Sequence, residues 1–221
     1  MKHFKTSSLF DLEHTISAPL FNGKNYPFEV LGELSDFIVA LGNSLDKTKY
    51  TQKSENVWIA NDATVFESAY IAGPCIIDSG AEIRHCAFIR GSVIVGKGSV
   101  VGNSTEIKNS IIFDSVQIPH YNYVGDSVLG YKSHLGAGSI TSNVKSDKTK
   151  VVLKSKMGNL ETGRKKVGAM VGDFVEVGCG SVLNPGTVIG RNSNIYPLSS
   201  VRGYVDENSI YKAKGEIVKK A

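Results

Sequence analysis

A six-residue spacing of large apolar residues is the feature that most restricts how this chain can fold. Ten positions in a row, each six after the last, carry an aliphatic or aromatic side chain, and nine of the ten are β-branched. These positions are Ile59, Val65, Ile71, Ile77, Ile83, Ile89, Val95, Val101, Ile107 and Phe113. The spacing returns at Leu129 and Leu135, and again from Val171 to Val201. A period of six fits neither a helix, which repeats about every 3.6 residues, nor the alternation of a long strand.

Short strands that turn a corner every six residues explain this period. Small side chains stand four positions after most of the large ones, as at Ala63, Ala81 and Ala87, and fit the bends. Three strands per turn of chain make a triangular coil whose interior is filled by β-branched residues. The sequence therefore predicts an all-β fold, a left-handed parallel β-helix of hexapeptide repeats with a small α-helical N-terminal segment. A β-sandwich with accidental spacing is the alternative.

Interruptions of the repeat define the predicted domain organisation. Residues 1–56 form an N-terminal extension, residues 57–210 the β-helix, and residues 211–221 a C-terminal tail. Only sixteen residues separate Phe113 from Leu129, where eighteen are expected, so two rungs are short there. Residues 141–170 break the repeat and are predicted to form an excursion loop, which in a solenoid often carries the binding site.

The N-terminal extension has a helical pattern of its own. Apolar residues recur at helical spacing between Pro27 and Gly42, with proline at the start and glycine at the end. This arrangement is typical of an amphipathic helix. We expect the helix to pack on the first coil, either as a cap on the exposed coil end or as a contact with another subunit.

Composition limits the classes of function. The net charge of +4 is mild, so it fits anionic small molecules and does not call for nucleic acid. No apolar run reaches the roughly 20 residues of a membrane helix, and the first residues lack the apolar core of a signal peptide. The three cysteines show no metal-type spacing, so we expect reduced thiols, no metal site and a cytoplasmic protein.

Candidate functional residues stand at and near the short rungs. His120 follows a proline and precedes two tyrosines, and an exposed histidine can act as a general base near neutral pH. Arg90 and Lys108 each follow an interior aliphatic residue and lie one full coil apart, so they should stack on one face and attract an anion. An ordinary surface histidine and solvated surface cations are the alternatives.

The run GNSTEIKNSIIF, followed by PHYNYVGDSVLGYKSHLGAGSITSN, carries a family resemblance. It resembles the acetyltransferase domain of the bifunctional glucosamine-1-phosphate N-acetyltransferase/UDP-N-acetylglucosamine pyrophosphorylase family. It is more similar still to the carboxy-terminal half of archaeal sugar-1-phosphate nucleotidylyltransferases, which share the segment ETGRKKVGAMVGDFVEVG. The resemblance covers residues 57–205.

This resemblance implies roles for individual residues. His120 would be the catalytic base. Contacts to the amino-sugar phosphate would come from Arg90, Lys108, Tyr123, His134, Asn143 and either Lys148 or Lys150, although relatives often have Asn where this chain has His134. Contacts to acetyl-CoA would come from Ala137, Gly168, Ala169 and Cys179. The basic run Arg164–Lys166 would meet coenzyme A phosphates or remain a solvated loop.

The function implied is acetyl-CoA-dependent N-acetylation of a glucosamine-1-phosphate-like amino-sugar phosphate, feeding synthesis of UDP-N-acetylglucosamine or a related nucleotide sugar. The resemblance also implies a homotrimer with sites between subunits. We expect no nucleotidyltransferase activity, because residues 1–56 are too few for a Rossmann-like domain.

Two alternatives from other functional classes remain open, and between the first of them and the implied function lie other hexapeptide acyltransferases, which act on serine or simple sugars. One is a catalytically silent β-helix that binds sugar phosphates or nucleotide sugars, or that scaffolds a partner. The other is a metal-dependent, carbonic-anhydrase-like β-helix, which would need His85, His120 and His134 to meet at a subunit interface.

Overall fold

The computed structural model describes residues 1–212 and 215–220 and shows three parallel sheets wound into one coil. The first face is built from strands Val57–Ala60, Cys75–Ile77, Val93–Val95, Ser110–Ile112, Val128–Leu129, Ala169–Val171, Thr187–Ile189 and Tyr204–Val205. The second face is built from Thr64–Val65, Glu82–Ile83, Val100–Asn103, Gln117–His120, His134–Leu135, Glu176–Val177, Asn194–Ile195 and Ser209–Tyr211. The third face is built from Tyr70–Ile71, Phe88–Ile89, Glu106–Lys108, Tyr123–Gly125, Ile140–Thr141, Val182–Leu183 and Ser200–Val201. The predicted left-handed parallel β-helix is confirmed.

Register between coils places like residues above one another. Ile59 pairs with Ile77 and Ile77 with Val95, so these side chains stack inside the coil. Buried hydroxyls at several bends bond to the backbone: Ser99 Oγ, for example, donates to the Phe113 carbonyl at 2.7 Å and accepts from the Val116 amide at 3.0 Å. The interior is therefore a continuous apolar stack, and most of its polar corners are hydrogen-bonded, whereas the buried Ser133 hydroxyl has no partner among the described residues.

Antiparallel strands close two edges of the coil. Tyr50–Ser54 pairs with Val57–Ala60 at the start of the first face, and Ile217–Lys219 pairs with Ser209–Tyr211 at the end of the second. A bare strand edge would offer unpaired amides and carbonyls to other chains. These short strands cover the edge backbone groups, which is the role of a cap in a solenoid.

Residues 1–56 lie along the first face over most of its length. Their helical elements are Lys2–Phe4, Leu12–His14, Ala18–Phe21 and Pro27–Gly32, which are 3₁₀-helices, and Thr6–Leu9 and Leu34–Ser44, which are α-helices. The Phe4 ring contacts Tyr204 near the last coil, the Phe10 ring lies 5.2 Å from that of Phe113, and Leu34–Ser44 contacts the strands at Cys75 and Val93. The single helix expected between Pro27 and Gly42 is thus a 3₁₀-helix followed by an α-helix, and it packs on the side of the coils.

The covered face is buried on both sides. Its outward side chains Ile76, Ile94, Ile111, Val128, Met170 and Val188 are fully buried, like the interior ones. Burial of an aliphatic side chain contributes about 1.5–3 kcal/mol. The N-terminal segment is therefore part of the hydrophobic core.

The excursion begins after Thr141 and ends before Ala169, and it is more ordered than a simple loop. It contains an antiparallel hairpin of strands Val152–Ser155 and Gly158–Glu161, here named the excursion hairpin. Val151 and Leu153 are fully buried, and the strand that contains Leu153 contacts the first-face strands Thr187–Ile189 and Tyr204–Val205. The hairpin thus completes the cover of the first face.

Within the described residues, no helix is both long and apolar enough to cross a bilayer.

Docking of the N-terminal segment depends on Gly42. A Cβ built at this position would overlap the Trp58 ring of the first coil. We expect Gly42→Ala to lower the free energy of unfolding by roughly 1–3 kcal/mol, the usual cost of overpacking, despite alanine's better helix propensity. Chemical denaturation measures the change. Asn43→Ala, at the next and exposed position of the same helix, is the control. Equal stability of the two variants would show that this helix is not packed on Trp58.

Candidate functional site

Two cations lie one above the other at the corner between the third and first faces. Arg90 and Lys108 follow Ile89 and Ile107, which pair directly in the sheet. Each cation has a carboxylate partner: Arg90 Nη1 lies 2.7 Å from Glu106 Oε1, and Lys108 Nζ lies 3.3 Å from Asp126 Oδ2. The repulsion expected between stacked cations is thus offset within the chain. The corner still offers their remaining donors to an anion.

Asp126 organises this corner from within the coil. It is almost completely buried, and besides Lys108 it accepts hydrogen bonds from Asn143 Nδ2 at 2.5 Å and Asn109 Nδ2 at 2.8 Å. A carboxylate only accepts hydrogen bonds, so it fixes which end of each amide faces it. Asn143 Oδ1 therefore points away from Asp126 as an available acceptor.

Tyr123 closes the same group of side chains. Its hydroxyl oxygen accepts from Asn143 Nδ2 at 3.2 Å, and burial raises the pKa of the Tyr123 phenol, so it remains a protonated donor at neutral pH. Gly125 leaves room for this contact, because a Cβ there would lie 2.6 Å from the Tyr123 hydroxyl and 2.7 Å from Asn143 Nδ2. Arg90, Lys108, Tyr123, Asp126 and Asn143 are named the Asp126 cluster below.

His120 precedes the third-face strand Tyr123–Gly125, whose far end leads to Asp126. It therefore lies at the corner between the second and third faces. It ends the strand Gln117–His120 and its side chain is exposed. Its amide donates to Asn122 Oδ1 at 3.1 Å, and Asn122 Nδ2 donates to the Gly136 carbonyl at 2.8 Å. The backbone at His120 is therefore fixed while the imidazole is free of hydrogen bonds to the described residues. About one strand length, roughly 10 Å, separates the two corners.

Ala137 and Cys179 share the corner of His120. The Gly138 amide donates to the His120 carbonyl at 3.0 Å, and the Gly180 amide donates to the Ala137 carbonyl at 2.8 Å. His120, Ala137 and Cys179 thus occupy one corner in three successive coils, named the His120 corner below. Cys179 is exposed and Ala137 is partly exposed.

Gly168 and Ala169 do not join Ala137 and Cys179. Both are buried at the corner between the third and first faces, and their amides donate to the Asp126 carbonyl at 2.8 Å and to Ser127 Oγ at 3.0 Å. At these two residues the chain leaves the excursion and rejoins the coil. The sequence expectation that they line an acetyl-CoA groove therefore does not fit their position.

The remaining predicted contacts are spread over the surface. His134 lies on the second face, with Nδ1 2.8 Å from Glu176 Oε2. Lys148 and Lys150 are exposed in the excursion and make no ion pair with the described residues. Within one chain, the structure brings together Arg90, Lys108, Tyr123 and Asn143, but not His134 or the loop lysines.

Sequence reasoning missed Asp126, its partner Asn109, and Glu106, the partner of Arg90. The available signal was the coil period, because Lys108 pairs with Gly125 in the next coil and Asp126 is the next residue. Among residues 1–212 and 215–220, no group of three His, Cys, Asp or Glu side chains is placed to hold a metal.

Asp126 and Glu106 provide a matched comparison of a buried and an exposed ion pair. We expect Asp126→Asn to lower the free energy of unfolding by roughly 3 kcal/mol, because Lys108 loses its buried counter-charge. Glu106→Gln should cost less than about 1 kcal/mol, since both partners of that pair face solvent. Urea denaturation at pH 7 measures both. Similar losses for the two variants would mean that Asp126 does not organise the corner.

Comparisons with known proteins agree with this fold. Residues 71–157 match the family model described as the GMPPB C-terminal domain. A solved Bacillus cereus structure, described provisionally as an acetyltransferase, has a TM-score of 0.50 and 15% identity, and the alignment covers 72% of this chain and 84% of that one. At this identity the likeness shows the fold alone.

Two curated relatives are more similar in sequence. The chain is 35% identical over 102 residues to the "Bifunctional sugar-1-phosphate nucleotidylyltransferase/acetyltransferase" of Sulfurisphaera tokodaii, covering 46% of this chain and 25% of that protein. It is 40% identical over 111 residues to the "Bifunctional protein GlmU" of Methanococcus vannielii, covering 50% of this chain and 27% of that protein. The matched region thus spans about a quarter of each relative. The resemblance read from the sequence is confirmed: about half of this β-helix chain is similar in sequence to bifunctional GlmU-type proteins, and residues 71–157 match the GMPPB C-terminal domain.

Proposed function

We propose that the chain is an acetyl-CoA-dependent N-acetyltransferase acting on an amino-sugar phosphate of the glucosamine-1-phosphate type. The observation that carries this proposal is the Asp126 cluster, in which successive coils place two cations, a phenol and an amide oxygen at one corner, with His120 at the other end of the strand Tyr123–Gly125. The Sulfurisphaera tokodaii relative, named as a bifunctional sugar-1-phosphate nucleotidylyltransferase/acetyltransferase, supports it.

The Asp126 cluster suits the phosphate end of such an acceptor. Arg90 and Lys108 retain donors beyond those used by their carboxylates, and a phosphate dianion forms stronger charge-assisted hydrogen bonds than neutral groups do. Glu106 and Arg90 are both partly exposed, so a phosphate can replace Glu106 without leaving a buried charge. Asn143 Oδ1 and the Tyr123 hydroxyl are then left for the sugar.

His120 suits the amine end. An amino sugar attacks a thioester only as the free amine, so a base must accept a proton as the new C–N bond forms. His120 would accept that proton, and the protonated imidazole would return it to the departing thiolate of coenzyme A. General base catalysis of this kind contributes about 10²–10⁴-fold in rate.

The donor would lie along the His120 corner. In the turn Gly136–Ser139, the amides of Gly136, Gly138 and Ser139 donate within the chain, whereas the Ala137 amide has no acceptor among the described residues. Ala137 N–H is therefore the best-placed donor for the oxyanion of the tetrahedral intermediate. Of the four amides in the GAGS turn, it is the one we assign to this role.

A catalytically silent sugar-phosphate-binding β-helix is the second candidate. It is favoured by the carboxylate partners of Arg90 and Lys108, because they neutralise both cations in the absence of a substrate. The two functions differ in whether thiol is released.

A thiol-release assay with acetyl-CoA and a panel of amino-sugar phosphates tests the proposal. We expect turnover with at least one hexosamine-1-phosphate, and a loss of about 10²–10⁴-fold in kcat for His120→Ala. His85→Ala, two coils earlier at the same corner and bonded to Ser68, should retain the wild-type rate. Ligand binding by calorimetry without thiol release would favour the silent binding protein.

The exposed apolar side chains beside this corner support a trimeric assembly with sites between subunits. Leu198 is 85% exposed and Tyr121 is 67% exposed, and both adopt left-handed backbone conformations at the His120 corner. Large apolar side chains this exposed are typical of a surface that a partner covers. We propose that a second copy of the chain packs here, as in closed cyclic assemblies.

Light scattering after size exclusion tests the assembly. We expect three times the chain mass for the wild type and one chain mass for Leu198→Glu, because a carboxylate would be buried without a partner at the contact. Lys220→Glu, far from this corner along the chain, is the charge-change control. A monomeric wild type would contradict the proposed assembly.

A further inference from the structure

A second group of cations lines a pocket between the excursion and the corner that carries the Asp126 cluster. Lys145 and Lys154 come from the excursion, and Arg202 follows the third-face strand Ser200–Val201. The cavity measures about 430 Å³, within the size range of small-molecule sites. Ser142 and Ser146 also line it, and none of its lining residues is acidic. It is named the hairpin pocket below.

The hairpin pocket is built on rigid parts of the fold. A Cβ at Gly203 would lie 2.8 Å from the Lys154 carbonyl, and one at Gly186 would lie 2.8 Å from Val151 Cγ1. The excursion hairpin therefore packs directly on backbone of the coil, with its neighbouring side chain Leu153 fully buried. This contact brings Lys154 of the hairpin and Arg202 of the coil to the same pocket.

The charges of the hairpin pocket are not neutralised within the chain. Arg202 and Lys154 form no ion pair with a carboxylate of residues 1–212 or 215–220, in contrast to Arg90 and Lys108. Lys145 is paired only with the exposed Asp147, at 3.2 Å. Clustered cations repel each other unless an anion lies between them. The hydroxyls of Ser142 and Ser146 accept or donate no hydrogen bond among the described residues and add neutral donors.

We propose that the hairpin pocket binds a phosphate-bearing anion, in particular a diphosphate. An arginine guanidinium matches two phosphate oxygens at once, and the two lysines supply additional point charges. A single carboxylate would leave most of this charge unmatched. The site is separate from the Asp126 cluster and does not depend on acetyl transfer.

Its position connects it to the Asp126 cluster. Ser142 precedes Asn143, and it stands two coils after Lys108 at the same corner, a rise of about 10 Å. A ligand with phosphate groups at both sites would therefore run along the corner. The diphosphate of a nucleotide-linked sugar and that of coenzyme A are the two sources with this chemistry.

Calorimetric titration of the full chain with inorganic pyrophosphate tests the proposal. We expect Lys154→Ala/Arg202→Ala to weaken binding by about tenfold or more, since two charge-assisted contacts are removed. Lys53→Ala/Lys220→Ala, which removes two positive charges outside the hairpin pocket, should change the affinity little. Arg90→Ala is titrated in parallel, because the Asp126 cluster is also proposed to bind phosphate and this variant reports any pyrophosphate bound there. Thermal melting of each variant checks that the fold is intact.

Further titrations distinguish the two sources. The Lys154→Ala/Arg202→Ala protein is the pocket variant. If it loses affinity for coenzyme A, the site binds the acetyl donor. If it loses affinity for a nucleoside-diphosphate sugar but not for the sugar 1-phosphate, the site binds the acceptor. Pyrophosphate affinity that is equal in the pocket variant and the Lys53/Lys220 control, or that is lost only with Arg90→Ala, would overturn the proposal. So would a wild type that does not bind pyrophosphate.

Discussion

Parallel pairing between successive coils is the constraint on which the rest of this structure depends. Each rung is only two to four residues long, so it has little stability alone and gains it from the rungs above and below. The pairing sets the side-chain register for the whole length of the coil. It is also why Arg90 and Lys108, eighteen residues apart in sequence, come to lie side by side.

The buried carboxylate of Asp126 joins side chains from neighbouring coils into a candidate site. Asp126 holds a lysine and an amide from the coil before its own and an amide from the coil after it, and Gly125 beside it leaves the space that Tyr123 and Asn143 need. Preorganisation of this kind lets a ligand bind without first ordering the side chains that meet it. The cost is an ion pair that cannot be broken on one side without leaving a buried charge. The exposed Arg90–Glu106 pair carries no such cost.

The sequence was sufficient for the coil because its signal is periodic and local. Ten aliphatic or aromatic residues at one spacing predict the stacking of Ile59, Ile77 and Val95 directly. The position of residues 1–56 was not predictable in the same way, since their helical pattern shows an apolar stripe but not the surface it covers. Asp126 was missed although one coil period from Lys108 leads to it, because the repeat predicts the interior positions but not which polar residues at a corner are buried. Gly168 and Ala169 were assigned from motif likeness, and burial where the chain re-enters the coil separates them from the His120 corner.

Residues 1–56 and the excursion hairpin cover the first face of the coil, so this face differs from the other two. Outward positions on the second and third faces include polar residues such as Gln117, His134 and Glu106, whereas those on the first face are apolar and enclosed. The outer side of the first face is therefore subject to the same packing demands as the interior, and a polar substitution at Ile94 or Met170 would be as disruptive as one inside the coil. Only two sides remain on which new surface chemistry can arise by mutation without loss of the fold. Those two sides meet at the corner that carries His120.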